Sequence, residues 1–225
     1  KLALPGDDPA QAIPTVRDLC LVKLNVGPGN PGPAGVPSTS RGIGIEIWMP
    51  APSEWNGRIH ALGGGGFQGG AAGSPENVAN PMAAAVAFEE GAVSSSTDAG
   101  HASVPKNYGV PDSGGDFLMN PDGSIAENLW HDFSVRAIHE QAVKTRAVTA
   151  AYYGKAARYV YWDGSSTGGR QGHKLAQAYP DDFDGIIANL PALNWTSFTP
   201  GMLWPHLVYQ RDLGGKALST AQLDL

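Results

Sequence analysis

A chain of 225 residues is long enough for one or two domains with a real hydrophobic core. With 42% apolar and 16% charged residues beside 30 Gly and 18 Pro, the composition excludes a disordered or collagen-like polymer. A formal charge of −6 without a Lys/Arg cluster excludes nucleic acid as a partner, and the absence of 18 consecutive apolar residues excludes a helical membrane span. Lys1-Leu2-Ala3-Leu4 runs straight into Pro5-Gly6-Asp7-Asp8, so no intact signal peptide is legible, and the single cysteine, Cys20, has no partner for a disulfide within the chain.

Residues 1–40 are rich in Pro, Gly and Ser and read as a long loop around one edge strand, Leu19 to Val26. Ile43, Ile45 and Ile47 alternate with Gly44, Glu46 and Trp48, the period of a strand, and Trp55-Asn56-Gly57 turns into Arg58 to Leu62; the two segments are expected to pair. A glycine run, Gly63 to Gly66, follows. Asn80 to Glu90 reads as a helix after Pro81, and Ala92 to Ser96 as a strand. From Trp130 to Tyr153 apolar residues recur at three- and four-residue steps, with a Glu140/Lys144 pair and Gly154 as a stop, which predicts a helix. Arg158 to Trp162 reads as a strand, Gly168 to Tyr179 as a helix ended by Pro180, and Gly185 to Asn189 as a further strand. Strands alternating with helices predict an α/β protein with a parallel sheet covered on both faces. Ser219-Thr220-Ala221-Gln222 has the capping-box arrangement that opens a helix, so the chain is expected to be a fragment, or one processed chain, of a larger protein.

The sharpest local signal is Gly164-Ser165-Ser166-Thr167-Gly168, a G-x-S-x-G pentapeptide centred on Ser166. About one chain in four of this composition holds such a string by chance, so its context decides. A nucleophile elbow needs a strand before the serine, small residues around a strained turn and a helix after it, and the neighbouring segments supply all three. The predicted oxyanion donors are the backbone N–H of Thr167 and that of Gly65 or Gly66, in the loop after the third strand. Gly64-x-Gly66-x-x-Gly69 also matches a dinucleotide fingerprint, but about 20 residues on the nearest acids, Glu89 and Glu90, precede the next strand instead of ending it.

A nucleophilic serine needs a base, in the order Ser, acid, His. Asp181, Asp182 and Asp184 follow the elbow helix, which carries them roughly 15 Å toward the opposite end of the sheet. His173 lies two turns down that helix, about 10 Å away, and reads as a packed or surface residue. His206 follows only those misplaced acids. Acid and histidine are therefore expected beyond Leu225. Asp98 and His101, in Thr97-Asp98-Ala99-Gly100-His101 after a strand, are candidates to line the pocket.

Taken with Trp55-Asn56-Gly57-Arg58, the Gly63 to Gly66 run and Ser96 to His101, the string Gly164-Ser165-Ser166-Thr167-Gly168-Gly169-Arg170-Gln171-Gly172 resembles the tannase and feruloyl esterase family. The resemblance implies an α/β-hydrolase fold with a large lid inserted after the strand that follows the elbow helix, here near Leu193 to Trp195. It also implies cleavage of esters of aromatic acids such as gallic, ferulic or terephthalic acid, with Ser166 as nucleophile and Thr167 N–H as an oxyanion donor. Most members carry Cys directly before the nucleophile, bonded to a Cys beside the catalytic His; Ser165 stands there in this chain, so that staple is absent. Cys20 resembles a cysteine that is disulfide-bonded near the N-terminus of relatives, and the lid calcium of many relatives would lie outside this chain.

The expectation is thus an α/β-hydrolase core over residues 1–194 and the beginning of a lid over 195–225. The activity expected is that of a cofactor-free serine ester hydrolase acting through an acyl-enzyme on a small aromatic ester, secreted or periplasmic by resemblance. The remaining acid, histidine and lid are expected on the C-terminal remainder of the protein or a second processed chain. A non-catalytic binding module on the same scaffold and, less favoured, a dinucleotide-binding oxidoreductase are the alternatives.

Overall fold

The computed structural model describes residues 17–102, 114–216, 219 and 222. Six strands form one sheet: β1 (Leu19–Val26), β2 (Ile43–Pro50), β3 (Arg58–Leu62), β4 (Val93–Thr97), β5 (Tyr159–Ser165) and β6 (Gly185–Asn189). Among the described residues five α-helices accompany them: α1 (Pro81–Glu90), α2 (Glu127–His131), α3 (Ala137–Tyr153), α4 (Thr167–Ala178) and α5 (Trp195–Asp212). The predicted strands and most of the helices fall where the periodicity puts them.

The order across the sheet is β1-β2-β4-β3-β5-β6, and this corrects two expectations. β2 does not pair with β3, because the chain crosses back through α1 and lays β4 between them. Nor is the sheet wholly parallel: β2 runs antiparallel to β1 and β4, while β4, β3, β5 and β6 are mutually parallel. The alternation in β2 also hides its environment, since all eight of its residues are buried, Glu46 and Trp48 included.

Residues opposite one another in a ladder share a face. Trp48, Ser94, His60 and Tyr161 therefore lie on one face, and Ile47, Ser95, Ala61 and Trp162 on the other. α1 covers the first: Ala83, Ala84 and Ala87 pack on Trp48, with Leu19, Leu21 and Leu62 around them. Pro81 sits in its first turn, Asn80 caps it through Oδ1 to the N–H of Met82 (3.0 Å) and Ala83 (3.3 Å), and Gly91 ends it at φ 68°. α3 and α4 cover the second face, where Gln141 of α3 donates to the carbonyl of Ser95 at 3.0 Å.

Beneath α1 lies a buried ion pair. Glu46, fully buried on β2, takes the ammonium of Lys23 from β1, the indole N–H of Trp48 (2.7 Å) and the backbone N–H of Ala79 (2.7 Å) and Asn80 (3.1 Å). Lys23 also donates to the carbonyl of Asn77 at 2.6 Å, so the pair fixes the approach to α1 from both signs of charge.

The expected single helix around residues 130–153 contains a π-helical turn, Asp132–Arg136, between α2 and α3. Asp132 and Arg136 pair across it at 2.6 Å, and Arg136 donates to the carbonyl of Gly27. The chain divides into two compact units, 1–191 and 192–225. The described helix of the second unit, α5, has Pro200 and Pro205 inside it and buries none of its residues. Proline removes a helical donor, which is why this helix has no sequence signal.

Candidate active site

β3 and β5 are adjacent and parallel, so the loops after them leave the same edge of the sheet. From β3 the chain enters the glycine run; from β5 it turns at Ser166 into α4. The two departures are welded backbone to backbone: Gly63 N–H donates to Asp163 O (2.8 Å) and Gly168 N–H to Gly64 O (2.7 Å). Such an approach has no room for side chains. A Cβ on Gly63 would stand 2.6 Å from the Cα of Gly168, and one on Gly164 would stand 2.3 Å from the Gly168 carbonyl oxygen. The glycines of the pentapeptide are therefore packing requirements as well as turn formers.

Ser166 itself adopts φ 58° and ψ −116°, a strained conformation for a residue with a Cβ, costing about 1–3 kcal/mol. Its N–H is tied to the carbonyl of Asn189 at the end of β6 (3.1 Å), and its carbonyl accepts from Arg170 N–H (3.1 Å). The residue is exposed, and its Oγ makes no hydrogen bond among the described residues. The turn thus spends backbone strain to hold one hydroxyl at the mouth of a helix. No side chain caps α4, which leaves the N–H of Thr167 at the positive end of the helix dipole.

In the loop after β3 every carbonyl from Gly64 to Gly66 has a donor: Gly168 N–H for Gly64, Gln68 N–H (2.9 Å) for Gly65 and the Thr167 hydroxyl (2.6 Å) for Gly66. In a trans peptide the N–H points opposite to the preceding C=O, so the N–H of Gly65 is turned away from α4. Neither the Gly65 nor the Gly66 N–H is bonded among the described residues, and both residues are exposed. The three donors picked out from sequence, at Thr167, Gly65 and Gly66, thus lie unbonded among the described residues on two loops held together backbone to backbone, with the Gly65 N–H facing away from α4.

Asp98 and His101 fare differently. Both line a cavity of about 560 Å³ with Asn25, Ser40, Arg41 and Gly73, and Asp98 also lines a smaller recess of about 140 Å³ shared with Gly64 and Gly65. Ser166 lines neither of these two. The polar atoms of the pair are committed to backbone: Asp98 Oδ1 accepts from Gly44 (2.8 Å) and Gly100 (3.0 Å), with further N–H bonds from Gly73 and Ala72. Burial pushes its carboxyl up to about 6 against the lowering effect of those N–H groups. His101 is stacked flat on Phe117 at 3.5 Å, and its ring nitrogens face the carbonyls of Ala102 (2.8 Å) and Phe67 (2.7 Å).

No described histidine bonds to Ser166. His60 pairs with Glu90, His139 with Asp182 (2.8 Å), and His131, His173 and His206 are exposed. Asp184 accepts from Val160 N–H at the start of β5, the far end of that strand from Ser166, as the helix length requires. The dinucleotide alternative loses its geometry as well: the first helix after the glycine run begins only at Pro81, so no helix N-terminus opens at those glycines. The sequence reading overlooked Gln68 and Gln171, two buried amides beside the glycine run; the position of Gln171 inside the Gly-rich string was its only signal.

A family model described as tannase and feruloyl esterase matches residues 35–225. The chain belongs to the tannase and feruloyl esterase family. Among curated members it is 41% identical over 168 residues to a probable feruloyl esterase of Arthroderma benhamiae, covering 75% of this chain and 29% of that one. Of solved structures, an esterase from Aspergillus oryzae matches with a TM-score of 0.61 and 27% identity, over 85% of this chain and 32% of the other. Feruloyl esterase B of the same species matches with a TM-score of 0.54 and 27% identity, over 81% and 36%. The chain therefore spans about a third of the length of each of these three relatives, and its fold is that of the α/β-hydrolases.

Proposed function

We propose that this chain carries the nucleophile and oxyanion hole of a serine carboxylic ester hydrolase acting on esters of aromatic acids. The observation that carries the reading is Ser166: a strained, exposed residue between β5 and α4, its hydroxyl unbonded, beside the unpaired N–H of Thr167 and the Gly65–Gly66 loop. Family membership supports the ester substrate, since the relatives are named as feruloyl esterases.

Ser166 Oγ attacks the ester carbonyl and gives its proton to a histidine; the same proton leaves with the alcohol, and water then cleaves the acyl-enzyme to free the acid. Thr167 N–H and the N–H of Gly66, the loop donor whose peptide is not turned from α4, hold the oxyanion, and the chemistry needs no cofactor. The histidine and its acid come from the rest of the whole protein, with α5 opening the lid that selects substrate. An exported location, secreted or periplasmic, accords with the family relationship; among the described residues no helix is long and apolar enough to cross a membrane.

The test uses the full-length protein with methyl ferulate and methyl gallate. Stoichiometric labelling of Ser166 by a serine-directed phosphonate, with turnover lost in Ser166→Ala, is expected. Turnover retained in Ser166→Ala removes the proposal, and a folded wild type that neither labels nor turns over either ester supports a binding module instead.

A further inference from the structure

The glycine run is supported from beneath by two side chains that no part of the mechanism above uses. Gln171, one turn into α4 and fully buried, accepts the N–H of Gly64 on its Oε1 at 3.0 Å. Its Nε2 donates to Oε1 of Gln68 at 2.6 Å, and Nε2 of Gln68 donates to the carbonyl of Thr97, the last residue of β4, at 2.5 Å. Gln68 is 8% exposed and is held at φ 23°, a left-handed value. Gly64 must be glycine for the arrangement to exist, because a Cβ there would lie 1.9 Å from Cδ of Gln68.

The orientation of this relay is forced. The Gly64 N–H demands an oxygen from Gln171; that choice turns the Gln171 amide nitrogen toward Gln68, which must answer with oxygen and so direct its own nitrogen to Thr97. Flipping either amide would set donor against donor in a buried space and leave both groups unsatisfied. The relay fixes Gly64 from its N–H side, while Gly168 fixes it from its carbonyl side. The next two peptides carry the N–H groups of Gly65 and Gly66. Oxyanion stabilisation depends on donors held in place before charge develops.

We propose that Gln171 and Gln68 are positioning residues that, acting through Gly64, set the Gly65–Gly66 peptide, which carries the Gly66 N–H, for the oxyanion. The proposal rests on the ester hydrolase reading above. Methionine at either position keeps the shape and removes the hydrogen bonds. In the full-length protein with a p-nitrophenyl ester, Gln171→Met is expected to lower kcat 10- to 100-fold with KM within threefold, and to weaken an arylboronic acid, which binds as a tetrahedral adduct, by a similar factor. The double Gln68→Met/Gln171→Met variant should lose no more than the worse single variant, because the two act as one unit.

A folded Gln171→Met with kcat within twofold of wild type overturns the proposal. So does a loss of thermal midpoint with kcat per folded molecule unchanged. Should Gln171→Met fail to fold, Gln68→Met reads the same split, and a wild-type kcat there is equally fatal. Ser166→Ala separates the two levels of the argument. If it is inactive while both methionine variants turn over normally, only the positioning role falls; if it is active, the hydrolase reading and the positioning role fall together.

Discussion

Ser166 after β5 and Ala99 after β4 take nearly the same left-handed φ, 58° and 56°, on the two strands that flank β3. At the first, the turn lifts a hydroxyl clear of every described partner and leaves it exposed. At the second, the chain folds inward: Asp98 and His101 are 7% and 2% exposed, with their polar atoms facing backbone. One strand end puts its strain into presenting a group, the other into binding its own loop. Polar residues beyond a parallel strand are thus not equivalent: the backbone has claimed the polar atoms of Asp98 and His101 and left the Ser166 hydroxyl without a bond among the described residues.

Mutation should split the two strand ends cleanly. Ser166→Ala is expected to lower kcat by about 10⁴-fold or more while changing unfolding free energy by no more than about 0.5 kcal/mol; a large loss of stability in urea would erase the contrast. Asp98→Ala should do the reverse, costing about 3–5 kcal/mol because several buried N–H groups lose their acceptor, as read by denaturant midpoint. The Asp98 carboxyl, raised to about 6 from 3.8, favours its protonated form in the fold, so its contribution is present below about pH 4 and is lost as pH rises through 6. Relative to Asp98→Asn, which does not titrate, the wild type should lose on the order of 3 kcal/mol between pH 4 and 7. The smallest effect is expected from His101→Phe, which keeps the stack on Phe117: about 1–2 kcal/mol of stability, with kcat per folded molecule within twofold. A hundredfold kcat loss there would return His101 to the substrate pocket.

Much of the fold was legible because its elements carry local signals. Asn80 and Pro81 open α1, Gly154 stops α3, and the apolar run of β6 lies between turn residues. Strand pairing was not legible: nothing in Ile43 to Leu62 states that β4 will enter between β2 and β3. The elbow could be read since its backbone contacts exclude side chains and so write glycine into the sequence at 164 and 168. What could not be read is that backbone groups face the polar atoms of Asp98 and His101, because those contacts form only on folding. Gln68 and Gln171 meet only on folding, 103 residues apart. The π-helical turn at Asp132–Arg136 replaces part of a helical repeat without interrupting it, so periodicity alone ran straight through.

The buried Lys23–Glu46 pair gives the outermost strand an importance its position would not announce. An edge strand can usually fray without exposing the interior, yet peeling β1 away would draw the cation out and abandon a carboxylate in a dry space beneath α1, a loss of several kcal/mol. The margin of this sheet is therefore riveted to its middle by charge, and the first strand behaves as a keystone instead of a trim.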